Sequence, residues 1–192
     1  MPRSKSYDEN TVLERAMNVF WSNGYEATSV RLLEKQMGIN QFSIYSSFSS
    51  KKKLFIKSIS KYREHVRQNV YQTLLQEGAG MKELEQYLLK AVQKKREPGT
   101  SRGCLVVNTA AEIGGSDDEI AAEVNGYFNF IREMLRKVLK TAVEKGEISP
   151  DTDIEKQSAF FLGVMQGLSV ASKTMDPVQL NDFISVAVKQ IK

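Results

Sequence analysis

The sequence predicts an all-α fold of about nine helices, short at the N-terminal end and longer beyond it. Three observations carry that prediction. Apolar residues recur at helical spacing along almost all of the 192 residues. The four prolines, Pro2, Pro98, Pro150 and Pro177, fall outside the strong helical patterns, the last three at boundaries. Asn-Gly, Gly and Pro-Gly punctuation follows the ends of periodic stretches.

The first helix is expected over about residues 8–22, with Val12, Leu13, Ala16, Val19 and Phe20 on one stripe and Asn23-Gly24 as its stop. Tyr25 then packs back on the core. Thr28 caps a second short helix, SVRLLEKQM, which carries Val30, Leu33 and Met37 on one side and ends at Gly38. A third helix starts at Asn40, a preferred N-cap. Ile39 and Ile44 have the spacing of a hydrophobic staple, and Ile44 and Phe48 face inward together. Gln41, Phe42, Ser43, Tyr45, Ser46 and Ser47 are left on or near the outer face.

Ser50 begins a fourth helix, expected to reach about Gln76 on a stripe of Leu54, Phe55, Ile59, Tyr62, Val66, Val70 and Leu74. Its first turn holds Lys51, Lys52 and Lys53, although a helix N-terminus disfavours cations. Residues 77–80, EGAG, mark a break. A helix follows over about 81–96, ended by Pro98-Gly99, and SRGCLVVNTAAEIGG reads as another. Asp117 and Asp118 open a long helix to about Lys145, with Ile120, Val124, Phe128, Ile131, Leu135, Val138 and Ala142 on its apolar face. Helices over about 153–174 and 178–191 complete the chain. The expected division is an N-terminal domain, 1–50, a linking helix, 51–76, and a C-terminal domain, 77–192.

A composition of 41% apolar and 26% charged residues argues against disorder. One cysteine excludes an intramolecular disulfide and fits a reducing compartment. The basic N-terminus lacks an apolar segment of signal-peptide type, and no apolar run approaches the ~18 residues of a membrane helix. A cytoplasmic protein is expected. The first 65 residues hold eleven Lys and Arg against six Asp and Glu, whereas the rest is near neutral. A basic end on a neutral body is the footprint of a polyanion partner, nucleic acid or anionic membrane, or else a solvated surface. The lone His65, with no Cys/His cluster, no phosphate-binding glycine loop and no G-x-S-x-G elbow, argues against an enzyme, a metal or a cofactor.

A short helix, a glycine turn and a second short helix with a polar outer face make a helix-turn-helix, shaped to enter a DNA major groove. RAMNVFWSNGYEATSVRLLEKQMGINQFSIYSSFSSKKKLF resembles the N-terminal domain of TetR/AcrR-type transcriptional repressors. Ala16, Phe20, Gly24-Tyr25, Thr28-Ser29, Gly38, Tyr45, Phe48, Ser50-Lys51 and Leu54 carry the likeness over about residues 10–56. RGCLVVNTAAEI resembles the regulatory domain of some members more weakly.

The resemblance implies an all-helical homodimer that binds a near-palindromic operator and an unknown small-molecule inducer. It places Thr28 and Arg31 at phosphates, Gln41, Phe42 and Ser43 at base edges, and Tyr45 and Lys51 on the backbone. Ser46 shares the outer face. Two departures stand out: Phe42 occupies a position usually small in the family, and Lys52 one commonly acidic. Phe42 either meets a thymine methyl or packs on the first helix. Lys51, Lys52 and Lys53 either meet phosphates or reach into water. Arg3 and Lys5 either enter a minor groove or make no contact.

A two-fold operator needs a two-fold protein. Gly163, Gly167 and Ala171 form a small-residue ridge flanked by Phe160, Phe161, Val164 and Leu168, and together with the last helix they are the expected dimer interface. Cys104, Asn108 and Glu112 lie four apart on one helix face and, with Tyr87, Phe128 and Met165, are the ligand candidates. Cys104 lies near a helix N-terminus beside Arg102, so a redox or electrophile sensor is one alternative. A basic helical module for membranes or partner proteins is another.

Overall fold

The computed structural model describes residues 7–93 and 102–191. Arg3, Lys5 and the expected helix end at Pro98-Gly99 lie outside the described residues. Among those described there are ten helices: α1 Glu9–Asn23, α2 Val30–Met37, α3 Gln41–Phe48, α4 Lys51–Asn69, α5 Gln72–Leu75, α6 Met81–Gln93, α7 Leu105–Ile113, α8 Asp118–Glu144, α9 Ile154–Ala171 and α10 Pro177–Lys189. They form two compact units. The first holds the described residues through His65 together with Cys104–Val124; the second holds those of Val66–Gly103 and Asn125–Lys192. Helices α4 and α8 have residues in both.

The first unit is built on aromatic packing. Phe20, Phe48 and Phe55 are fully buried, with Leu33, Met37, Ile44 and Leu54 around them. Phe20 meets Phe55 edge-on at 4.8 Å between ring centres, and Tyr25 lies 4.8 Å from Phe55, folded back as its place after the stop predicts. Trp21 adds an edge-on contact with Tyr62 at 5.0 Å.

The helix ends follow local capping. Asp8 accepts from the Thr11 amide and Asn40 from the Ser43 amide. Gly24 closes α1 at φ 79°, ψ 177°, a region essentially reserved for glycine. Gly38 closes α2 in the left-handed conformation. One cap differs from expectation. Ser29, not Thr28, caps α2, its Oγ accepting from the Leu32 amide at 3.2 Å. Thr28 is fully buried and donates to the Gly24 carbonyl at 2.6 Å.

In the second unit the α4 pattern breaks earlier than its stripe suggested. The helix stops at Asn69, and the Val66 carbonyl accepts from both Val70 and Tyr71. Val70 turns outward, while Tyr71 turns in and its hydroxyl pairs with that of Tyr127 at 3.0 Å. Burying two phenols is affordable when each satisfies the other. On α8 the inward position therefore belongs to Tyr127, and Phe128 is half-buried. Helix α9 starts on Asp153, and α10 on an Asp176–Gln179 capping box with Pro177 at the first helical position.

Candidate nucleic-acid interface

Helices α2 and α3 meet across a turn of three residues, Gly38 to Asn40. Two polar contacts hold the pair. The Gln41 amide donates to Glu34 Oε1 at 2.6 Å, and Arg15 donates to the Met37 carbonyl at 3.2 Å. Ile44 and Phe48 point into the core, which turns Gln41, Phe42 and Ser46 to solvent and leaves Ser43 and Tyr45 half-exposed. Tyr7 covers one edge of α3, its hydroxyl 2.8 Å from Ser47 Oγ and donating to the Ser43 carbonyl at 3.3 Å. The rest of the outer face is open. Phe42 does not pack on α1: it is 83% exposed.

The junction from α3 to α4 is a tight turn. Ser49 has φ 68°, ψ −45°, and the Ser50 amide donates to the Phe48 carbonyl, a strained positive-φ γ-turn. Ser50 then caps α4 by accepting from the Lys53 amide.

The three lysines of that first turn separate. Lys51 places its ammonium 4.4 Å over the Tyr25 ring and remains half-exposed. Lys52 pairs with Asp117 at 3.1 Å and Glu119 at 3.2 Å, and Lys53 pairs with Glu119. Hydrogen bonds to Asp117 and Glu119 raise the Lys52 pKa. Asp117 titrates low because the Ile120 amide and Lys52 donate to it, and Glu119 because Lys53 and Lys52 do. So the negative charge beside Lys52 and Lys53 comes from the start of α8 in the same unit. Lys52 leaves the phosphate-contact set on that ground, and Thr28 leaves it because its side chain is buried. Ser29 and Arg31 are the exposed polar residues there.

Glu112 also leaves its expected role. Its two carboxylate oxygens accept from the amides of Tyr25 at 3.0 Å and Glu26 at 2.9 Å, so it ties α7 to the turn after α1. A carboxylate in the last turn of its own helix faces the negative end of the dipole. Two charge-assisted hydrogen bonds offset that. Replacing Glu112 with Ala is expected to speed hydrogen exchange at the Tyr25 and Glu26 amides about tenfold. Unchanged exchange at both, read by NMR, would refute the tie.

Of the other ligand candidates, Cys104 is the N-cap residue of α7 and Asn108 lies on that helix, both half-buried in the first unit. Tyr87, Phe128 and Met165 belong to the second. There Tyr87 lies 5.4 Å from Tyr71, and Phe128 lies 5.9 Å from Tyr127, in one aromatic cluster with Phe130. A cavity of about 290 Å³ in this unit is lined by other residues, among them Leu74, Ala79, Met134 and Val138.

The α9 ridge divides. Phe161, Val164 and Leu168 are buried in their own unit, so the outer face is left to Phe160 and Gly163. Gly167 and Ala171 are half-exposed, and Gly167 lies against the Phe183 ring. On α10, Val178, Phe183 and Val186 are exposed.

A polar helix end held outward by a glycine turn on a basic bundle defines a DNA-reading helix-turn-helix protein. Comparison with known proteins agrees. The model for bacterial regulatory proteins of the tetR family matches residues 12–57, and that for the tetracyclin repressor-like C-terminal domain matches 80–186. The chain belongs to the TetR family. It is 28% identical to the uncharacterised HTH-type transcriptional regulator YezE of Bacillus subtilis (strain 168) over 98% of both chains. It is 25% identical to the HTH-type transcriptional repressor ComR of Escherichia coli (strain K12), over 89% of this chain and 82% of that one. Its fold matches that of the TetR family regulator CifR, solved on a 26-base-pair operator duplex, with a TM-score of 0.83 at 26% identity; 99% of this chain and 100% of that one are covered. The protein is thus a ligand-responsive transcriptional regulator of the repressor type that binds operator DNA as a homodimer, not an enzyme. No helix among the described residues is long and apolar enough to cross a membrane.

Proposed function

We propose that this homodimer represses transcription by occupying a near-palindromic operator in the cytoplasm until a small-molecule inducer releases it. The observation that carries the reading is the open outer face of α3, with Gln41, Phe42 and Ser46 turned to solvent. Gln41, Phe42, Ser43 and Ser46 meet base edges, and Ser29, Arg31, Tyr45 and Lys51 meet the phosphate backbone. Residues 1–50 serve as the DNA-binding domain, 51–76 as the link, and 77–192 as the dimer and inducer domain. The dimer face is Phe160, Gly163, Gly167 and Ala171 of α9 with the exposed residues of α10.

Inducer recognition is assigned to the second unit, to the aromatic cluster of Tyr87 and Phe128 with Met165. The rings of that cluster support a ligand with an aromatic body. The inducer acts through α4 and α8, which have residues in both units. To drive the DNA-competent state from 99:1 to 1:99 it must favour the released state by about 5.5 kcal/mol.

The test is selection of bound duplexes from a random pool with the purified protein. An inverted repeat is expected, with half-site centres about 34–36 Å apart or a multiple of that. Affinity for it should fall steeply with salt, by nearly one log–log unit per neutralised phosphate. Recovery of unrelated sequences would overturn the reading.

A further inference from the structure

Phe42 is the most exposed large apolar side chain among the described residues, at 83%. It stands at the second position of α3, the end of that helix nearest the glycine turn. Its register is pinned on both sides: Asn40 caps the helix, and the preceding Gln41 amide is held by Glu34. Exposed or half-exposed polar residues, Gln41, Ser43 and Ser46, surround it on the helix. These can exchange hydrogen bonds with base edges, which a phenyl ring cannot do.

A phenyl group placed in a major groove meets four kinds of base edge. Guanine, adenine and cytosine present donors and acceptors that the ring would strip of water without replacing the hydrogen bonds. Thymine alone adds an apolar feature, its C5-methyl group. We infer that Phe42 reads a thymine 5-methyl in each operator half-site and is thereby a specificity-determining residue. The inference rests on the operator reading above. It differs from it by naming the base, the atom and the side chain. Because the ring supports nothing in the core, its removal leaves the fold intact, and an effect of Phe42→Ala on binding reports the DNA contact.

The experiment starts from the duplex recovered by selection. Each thymine of a half-site is replaced singly by deoxyuridine, which keeps the pairing edge and deletes only the methyl. One position is expected to lose affinity about fourfold, and about fifteenfold when both half-sites are changed. In the Phe42→Ala protein the discrimination between thymine and deoxyuridine at that position should vanish, while it persists in part in Phe42→Leu. Two results would overturn the inference: no thymine sensitive to loss of its methyl, or a Phe42→Ala protein that still discriminates. In the second case, an equal fold-loss on both duplexes, with their ratio kept, would make Phe42 a wedge between bases instead. If selection recovers no duplex, the operator reading itself falls and takes this inference with it.

Discussion

Gly163→Arg is expected to yield a monomer whose operator affinity drops about a thousandfold, toward its nonspecific level. Gly163 lies on the exposed face of α9, and beyond its chain neighbours and the backbone of its own helix no atom lies within 4 Å of where a Cβ would stand. A new side chain there disturbs nothing inside the protomer. In the proposed dimer it intrudes on the second copy, and a cation on an apolar face must be desolvated as the faces close. A monomer has one recognition helix, and the affinity that two helices gain by binding together is lost. Sedimentation velocity and fluorescence anisotropy with labelled operator give the two readouts. A dimer of unchanged affinity would remove this face from the interface.

Phe55→Ala is expected to lower the free energy of unfolding by about 3–5 kcal/mol. Natural domains have only about 5–15 kcal/mol in total, so the first unit would be close to melting. Phe55 is fully buried, 4.8 Å from both Phe20 and Tyr25. Its loss opens a cavity between α1 and α4 and takes away support from the Tyr25 ring on which Lys51 rests. Operator binding should fail with it, since α3 is braced by the same core. Urea unfolding measures the change; a loss below about 1 kcal/mol would mean that the site collapses to fill the void.

The helix starts at Asp8, Asn40, Ser50 and Asp153 were legible because a cap is a local device. The accepting side chain and the amide it satisfies are three residues apart. Inward positions on short helices, such as Ile44 and Phe48, were legible for a similar reason, since periodicity fixes a face once one residue is placed. Adjacent residues of like chemistry were not separable. Thr28 and Ser29 both offer a hydroxyl to α2, and burial against the core chose between them. Phe160 and Phe161 are equally apolar, yet only Phe161 is buried. Tyr71 ends the α4 stripe for the sake of Tyr127, 56 residues away.

Residue order alone settled that the protein is helical, that a basic helix-turn-helix opens it, and that α3 turns a polar face outward. Each of these depends on spacing within a few residues. Packing alone decided what the charged groups do. Lys52 finds Asp117 at a separation of 65 residues, and Glu112 finds the Tyr25 and Glu26 amides at 87 and 86. Such pairs leave no periodic trace, because a charge is recognised by its distance in space and by the water it loses, not by its place along the chain.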